Sequence, residues 1–316
     1  MNTSDRIAVC SRSFSRNPVL RKELQDKYSN ITFNDKGLSL KGDLLFKFLD
    51  KHDKAIVALE KIDSQLLNKL PQLSVISKYG VGLDMIQMDA MRMFNKRLGW
   101  KGGVNRRSVS ELVISFAIAL LRFVPNASHE VLNGSWSQHI GSQLSGKKIG
   151  IIGCGHVGKD LVKILQPFDC DIYVNDIRDY SEYYKKYDLQ PIPLEDLLML
   201  SDVVTLHVPL DKSTINILNK EKLSLMKSSA ILINIARGGL VDEAHLKKIL
   251  IEKKIAGAAF DVFETEPPQD KELIALTNFI VTPHIGGSSV EAILAMGRAA
   301  IEGLEINSIP SPSEYS

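Results

Sequence analysis

A glycine-rich turn near the middle of the chain constrains the fold more than any other feature. Residues 153–158 read GCGHVG. The apolar run Lys148 to Ile152 before this turn predicts a strand, and residues from about His156 to Leu165 predict a helix. A G-x-G-x-x-G turn between a strand and a helix is typical of dinucleotide-binding folds.

Each glycine of the turn has its own physical reason. Gly153 allows the sharp turn after the strand, and Gly155 lets the backbone approach a pyrophosphate. Gly158 lets the helix pack closely on the strand. The amides that open the helix would then face the anion, helped by the helix dipole.

An acid about 20 residues beyond the turn indicates which dinucleotide is bound. The predicted strand Asp171 to Asn175 leads to Asp176, whose carboxylate should meet the ribose hydroxyls. The same charge would repel a 2′-phosphate, so we expect NAD rather than NADP. Arg178 nearby leaves the strictness of this preference open, and Asp176 as a plain strand-end turn residue is the alternative.

Composition and charge narrow the class of protein. The chain has 316 residues, enough for two domains, with 44% apolar and 24% charged residues, as in soluble globular proteins. Its formal net charge is +2 and its basic residues are dispersed, so neither a nucleic-acid nor a membrane partner is expected. A polar N-terminus without a signal pattern and three scattered cysteines predict a reducing, cytoplasmic location and no metal site.

Strands and helices alternate along the chain, which predicts parallel sheets in two α/β units with a break near residue 103. The predicted strands cover residues 6–10, 55–59, 73–77, 148–152, 171–175, 203–206, 230–235, 257–260 and 279–282. The predicted helices cover residues 17–28, 63–70, 156–165, 194–200 and 288–306. A further long helix is predicted to open at the capping box Ser108 to Glu111 and to end before Pro125. Residues 133–145 predict a loop.

Three later strands are followed by residues that can carry chemistry: Arg237, Glu266 and His284. The carboxyl ends of parallel strands are where ligands bind. An arginine can clamp a carboxylate and polarise a keto oxygen, and a histidine can exchange a proton with an alkoxide. A neighbouring glutamate would orient the imidazole and favour its charged form. Each residue alone could be a surface or turn residue, but their joint occurrence favours reduction of a 2-keto acid.

These segments resemble the D-isomer-specific 2-hydroxyacid dehydrogenases, in a phosphoglycerate dehydrogenase-like form. The matching motifs are YGVGLD at 79–84, NIARG at 234–238, DVF at 261–263 with Glu266-Pro267, and PHIG at 283–286. The resemblance implies an NAD-dependent oxidoreductase, a homodimer formed through the helix from Ser108, and a small 2-keto or 2-hydroxy acid as substrate. It implies a Rossmann NAD-binding domain at 104–287, a flavodoxin-like substrate domain at 1–103 plus 288–316, and a cleft between them.

The resemblance also implies roles for individual residues. Arg237, Glu266 and His284 would be catalytic, and Asp261 would contact the nicotinamide carboxamide. The implied cofactor-binding residues are Gly153, Gly155, His156, Val157, Gly158, Asp176, His207, Val208, Pro209, Ile235, Ala236, Arg237, Asp261, His284 and Gly286. The implied substrate-binding residues are Lys78, Tyr79, Gly80, Val81, Gly82, Arg237 and His284, with backbone amides around Val81 and Gly82 forming an anion nest.

The substrate stays open at this point. Phosphoglycerate-type members often carry a basic residue after the second of these strands, where this chain has Glu60, and an acid there would repel a phosphate. Lys61 beside it could compensate. Lys78 corresponds to an anion-binding lysine of phosphite dehydrogenase-like members, or it is a solvated lysine. The chain ends soon after Ile306, so a serine-binding regulatory domain is not expected.

Two other functions remain possible from the sequence. One is the oxidation of phosphite or another small anion on the same scaffold, although Glu266 argues against formate. The other is an NAD-sensing corepressor that binds protein partners without turnover. A methyltransferase is set aside because Arg237, Glu266 and His284 have no shared role there.

Overall fold

The computed structural model describes residues 3–311 and divides the chain into two compact units. One unit comprises Met1–Asn105 with Ser289–Ser316, and the other comprises Arg106–Ser288. Each unit is built around its own parallel sheet, and helices cover the sheet faces. The two units are called the first and the second unit below.

The first unit contains a five-stranded sheet within the described residues. Its strands are β1 (Thr3–Val9), β2 (Tyr28–Phe33), β3 (Lys54–Val57), β4 (Val75–Lys78) and β5 (Arg97–Gly99). Its helices are α1 (Arg12–Arg16), α2 (Pro18–Gln25), α3 (Gly42–Leu49), α4 (Ser64–Asn68) and α5 (Met88–Met93), with α14 (Val290–Gly303) from the end of the chain. The order β2-β1-β3-β4-β5, all parallel, is the predicted flavodoxin-like order.

The second unit contains a seven-stranded parallel sheet within the described residues. Its strands are β6 (Lys148–Ile152), β7 (Asp171–Asn175), β8 (Gln190–Pro191), β9 (Val203–Leu206), β10 (Ile231–Asn234), β11 (Gly257–Phe260) and β12 (Phe279–Val281). Its helices are α6 (Arg106–Leu121), α7 (Val124–Leu132), α8 (His156–Leu165), α9 (Ser181–Lys186), α10 (Leu194–Leu200), α11 (Lys220–Leu223), α12 (Glu243–Ile251) and α13 (Lys271–Ile274). The order β12-β11-β10-β9-β6-β7-β8 is the Rossmann order extended by one strand.

Side-chain caps explain where several helices begin. Asn17 accepts hydrogen bonds from the amides of Val19 and Leu20, and Pro18 then occupies the first turn of α2. Asp63 caps α4 by accepting from the Leu66 amide. Four-residue strands such as β9 and β10 are buried along their whole length, as expected for a sheet covered on both faces.

The capping box predicted at Ser108 to Glu111 is wrong. Helix α6 already begins at Arg106, so Ser108 lies inside its first turn. The Ser108 hydroxyl donates to the Gly286 carbonyl at 2.7 Å, and the Ser110 hydroxyl donates to the Val157 carbonyl at 3.3 Å. Both serines therefore make tertiary contacts within the second unit and do not cap the helix.

The long helix ends before Pro125, as predicted. Helix α6 ends at Leu121, Phe123 adopts a left-handed backbone, and Pro125 lies in the first turn of a new helix, α7. Among the described residues, no single helix is long and apolar enough to cross a membrane. Helices α6 and α7 reach that length and composition only when taken together, and they are bent by 61°.

Candidate active site

The glycine turn after β6 has the shape that a dinucleotide needs. Gly153 has a positive φ of 96°, and a Cβ built on it would lie 2.8 Å from the His207 carbonyl carbon. A Cβ on Gly158 would lie 2.3 Å from the Gly153 carbonyl oxygen, so α8 packs directly on the turn. A Cβ on Gly155 would meet nothing within 4 Å. The turn is thus tightly packed on its inner side and open beside Gly155, as the binding of a pyrophosphate requires.

Asp176 is tied to the glycine turn. One carboxylate oxygen accepts from the Cys154 amide at 2.6 Å, and the other accepts from the Arg178 amide at 2.8 Å. The carboxylate is therefore held at the end of β7 beside the turn.

At the start of α8, burial together with the charges of Arg106 and Lys159 lowers the pKa of His156. Its ring is therefore neutral at pH 7, so the helix amides carry the anion-binding potential there.

Cysteine chemistry at the turn is disfavoured. Burial raises the pKa of the Cys154 thiol to about 11, although the charge of Lys159 acts in the opposite direction. A thiol in this state is unreactive at neutral pH. The side chains that can exchange protons lie instead at the ends of the later strands.

The Arg237 loop is fixed by a buried asparagine. Asn234 is fully buried at the end of β10; its side-chain Nδ2 donates to the Arg237 carbonyl, and its Oδ1 accepts from the Ala236 backbone amide. A Cβ on Gly238 would lie 1.9 Å from the carbonyl carbon of Phe263. The loop that carries Arg237 therefore packs directly against the segment that leads from β11 to Glu266.

His284 and Glu266 form a hydrogen-bonded pair. The imidazole Nδ1 lies 2.9 Å from Glu266 Oε2 and 3.1 Å from Oε1, and both side chains are about half exposed. Glu266 Oε1 also accepts from the Phe263 amide at 3.2 Å, which orients the carboxylate. Because Glu266 engages Nδ1, Nε2 is the nitrogen left to exchange a proton with a substrate.

Asp261 shapes the loop on which His284 lies. Its Oδ1 accepts from the Ile285 amide at 2.7 Å and from the Thr282 hydroxyl, and its Oδ2 accepts from the Gly286 amide at 2.7 Å. The His284 amide donates to the Asp261 carbonyl at 2.9 Å. The buried carboxylate thus joins the ends of β11 and β12, the strand ends that lead to Glu266 and His284.

The predicted substrate-binding residues Lys78 to Gly82 lie at the carboxyl end of β4 in the first unit, whereas Arg237 and His284 belong to the second unit. Gly80 has a φ of 116°, which turns the chain sharply, and the Trp100 indole donates to the Val81 carbonyl at 3.0 Å. Lys78 is buried and donates to the Ala58 carbonyl, so it is not the solvated lysine of the alternative interpretation. Tyr79 is buried next to it, and its amide donates to the Val57 carbonyl.

Comparison with known families agrees with this geometry. Residues 114–286 match the model of the NAD-binding domain of the D-isomer specific 2-hydroxyacid dehydrogenases. The chain belongs to this family. It carries the family's NAD-binding domain in its second unit, and the glycine turn, Asp176 and the loops around Asp261 fit that cofactor in the structure.

Individual relatives fall into several activity classes. The chain is 36% identical to the D-3-phosphoglycerate dehydrogenase of Bacillus subtilis over 74% of its length and 45% of that protein. It is 33% identical to the glyoxylate reductase of Pyrococcus horikoshii over 90% of its length and 87% of that protein. The solved D-lactate dehydrogenase of Aquifex aeolicus, complexed with NAD and lactic acid, is 25% identical, with a TM-score of 0.82 over 95% and 94% of the two chains. The chain spans about half the length of the curated D-3-phosphoglycerate dehydrogenases that it matches.

Sequence reasoning missed the residues that hold the catalytic loops in place. Asn234 bonds within the loop that follows its own strand, whereas Thr282 and Trp100 each bond to a residue in a separate strand end or loop. Only Asn234 leaves a sequence signal, because a polar residue at the end of the apolar run Ile231 to Ile233 indicates a specific buried role.

Proposed function

We propose that this family member is an NAD-dependent oxidoreductase that interconverts a D-2-hydroxy acid and the corresponding 2-keto acid. The observation that carries the proposal is the His284–Glu266 hydrogen bond of 2.9 Å, at a strand end joined through Asp261 and Gly238 to the Arg237 loop. Its substrate partner would be a small 2-keto or 2-hydroxy acid. The named relatives that act on such acids support the same class.

Bound NAD(H) supplies the hydride acceptor in oxidation or the hydride donor in reduction. The protein's own part is to bind, orient and protonate. Arg237 presents a guanidinium fork, which suits a carboxylate with its neighbouring keto oxygen. His284 gives a proton from Nε2 to the nascent alkoxide in reduction and takes it back in oxidation. Glu266 holds Nδ1, so the ring keeps one tautomer and one orientation.

Steady-state turnover tests this proposal. NADH oxidation is measured with glyoxylate, pyruvate and hydroxypyruvate, and the chirality of the lactate or glycerate formed is determined. We expect turnover of at least one acid, with the D enantiomer as product where the product is chiral, and weaker use of NADPH because of Asp176. Tight NADH binding without turnover of any 2-keto acid would support the corepressor-like alternative instead.

We also propose a homodimer that forms through the surface around α6 and α7. Leu132 at the end of α7 and Trp136 and Ile140 in the loop after it are 82%, 82% and 96% exposed, which is unusual for large apolar side chains so close in sequence. A groove of about 580 Å³ beside them is lined by Ile118, Val124 and Val131 among others. A second copy of the chain is the proposed occupant.

The buried free thiols of Cys10 and Cys154 support the proposal of a reducing, cytoplasmic location.

A further inference from the structure

The short segment that follows β11 carries Glu266, the hydrogen-bond partner of His284. Its first part is buried: Phe263 is 6% exposed, and its ring packs edge-on against the ring of Phe279, with centroids 6.2 Å apart. Its last part is exposed and ends in the carboxylate that accepts from the Phe263 amide at 3.2 Å. The direction of this carboxylate therefore depends on how residues 263–266 are held.

A glutamate from another element contacts this segment. Glu243 is the first residue of α12, and its Oε1 accepts from the Glu264 backbone amide at 2.8 Å. Asp242 caps the same helix by accepting from the His245 amide at 2.9 Å. The backbone that carries Glu243 is therefore fixed by its own helix cap, so its side chain can serve as an anchor.

The same peptide group is in close contact with the loop after β10. A Cβ on Gly238 would lie 2.3 Å from the Glu264 amide nitrogen and 2.0 Å from the Phe263 carbonyl oxygen. The peptide group between Phe263 and Glu264 thus packs against Gly238 and is hydrogen-bonded to Glu243. The stretch from 238 to 243 therefore holds the segment that leads to Glu266.

The role of Glu243 does not require a full negative charge. Burial raises the pKa of Glu243 above its ordinary value; the charges of Glu264 and Asp270 act in the same direction, and the hydrogen bond from the Glu264 amide opposes them. A carboxyl group keeps an oxygen that can accept a hydrogen bond in either charge state. The contact with the Glu264 amide therefore needs the acceptor oxygen above all.

We propose that Glu243 is a positioning residue for the His284–Glu266 pair. By holding the Glu264 peptide, it keeps the Glu266 carboxylate directed toward Nδ1 of the imidazole. Asp261 fixes the loop of the histidine, and Glu243 fixes the segment that carries its partner. Glu243 acts through Glu266 and does not itself exchange a proton with the substrate. This inference rests on the proposed dehydrogenase function and deepens it.

The test compares two substitutions of Glu243 in NADH oxidation with the preferred 2-keto acid. Glu243→Ala removes the acceptor, and because small misplacements of catalytic groups are costly, we expect kcat to fall by roughly tenfold to a hundredfold. Glu243→Gln keeps an acceptor oxygen, so its kcat should stay close to the wild-type value. The KM for NADH should change little in either variant, since the glycine turn is intact. The matched control Glu252→Ala removes an acid at the other end of α12 that pairs with Lys254, and it should leave kcat unchanged.

A double-mutant cycle separates positioning from a general structural effect. If Glu243 acts through Glu266, Glu243→Ala should lower kcat by less than about twofold when Glu266 is already alanine. A purely structural role would lower kcat by the same factor in both backgrounds. Three outcomes overturn the inference while leaving the dehydrogenase function intact: equal losses in both backgrounds, an unchanged kcat in folded Glu243→Ala, or a Glu243→Gln variant as impaired as Glu243→Ala.

A measurement on the wild type covers the case in which Glu243→Ala does not fold. Hydrogen exchange followed by NMR should show the Glu264 amide exchanging roughly tenfold or more slowly than in an unstructured peptide. An amide that exchanges as fast as in an unstructured peptide overturns the inference, and this measurement does not depend on turnover. Absence of turnover with every 2-keto acid in the wild type overturns the proposed function itself.

Discussion

At the scale of single residues, the polar groups of the second unit divide into those that exchange protons and those that hold a shape. His284 and Glu266 are about half exposed, as groups that meet a substrate must be. Asn234 and Asp261 are almost fully buried, and their side chains hydrogen-bond to the loops on either side. The presence of a histidine therefore does not by itself indicate a catalytic role. His207, at a strand end of the same sheet, lies in a different environment from His284.

His207, at the end of β9, is predicted to stay neutral throughout the physiological range. Burial of the ring lowers the pKa of His207 to about 3, and its Nε2 lies 3.0 Å from the Thr205 hydroxyl. The unfolded chain, with an ordinary pKa of about 6.5, then binds a proton that the folded chain does not. The contribution of the neutral His207 to the stability of the folded state is fully present above about pH 6.5. It is lost as the pH falls toward 3.

Two measurements check this prediction. An NMR titration should show no protonation of His207 down to about pH 5. When the pH is lowered over the same range, the midpoint temperature of thermal unfolding should fall less for His207→Asn than for the wild type. A His207 ring that titrates near its ordinary value would contradict the account.

At the scale of elements, the sequence predicts best where apolar runs are buried and sharply bounded. Strands β6, β7, β9 and β11 and helix α8 begin and end at the predicted residues. Strand β2 was not predicted, because it lies at a sheet edge and exposes Ser29 and Asn30. The short polar helices α9 and α11 carry no clear apolar period, and the capping box failed because Ser108 bonds to Gly286 instead.

For the candidate site, too, prediction from the sequence works best next to buried apolar strands. The three candidate catalytic residues and the glycine turn could be predicted because each follows an apolar strand within a few residues. The contacts of Trp100 and Thr282 could not, since they depend on how separate loops pack. Whether Lys61 compensates Glu60 also needed the structure, which shows Lys61 paired with Asp63.

Substitutions at two glycines of the turn should affect the stability of the fold and the binding of NADH differently. Gly158→Ala places a Cβ 2.3 Å from the Gly153 carbonyl oxygen, so we expect a loss of about 1–3 kcal/mol in the free energy of unfolding. Gly155→Ala meets no atom within 4 Å, so the fold should lose much less. Its methyl group would occupy the space beside the pyrophosphate, and the Kd for NADH should rise roughly tenfold or more. Denaturant unfolding and NADH fluorescence titration measure the two effects, and equal losses of stability would contradict this division.

At the scale of the whole molecule, the proposed homodimer depends on apolar side chains that the single chain leaves exposed. We expect Trp136→Glu combined with Ile140→Glu to shift the protein to a monomer in sedimentation velocity, because two charges would be buried at the interface. Met93→Glu is the matched control, since Met93 is 73% exposed in the first unit. A monomeric wild type, or a double variant that remains a dimer, would contradict the proposed interface.

We propose that His284, oriented by Glu266, moves the proton in a 2-keto acid reduction. The most direct test is NADH oxidation with the preferred 2-keto acid by the wild type and His284→Ala, with His52→Ala of the first unit as control. Because loss of a general acid costs about 10²–10⁴-fold in rate, we expect kcat to fall by that order in His284→Ala only, with NADH still bound. Equal kcat values for the wild type and His284→Ala would contradict the proposed role of His284.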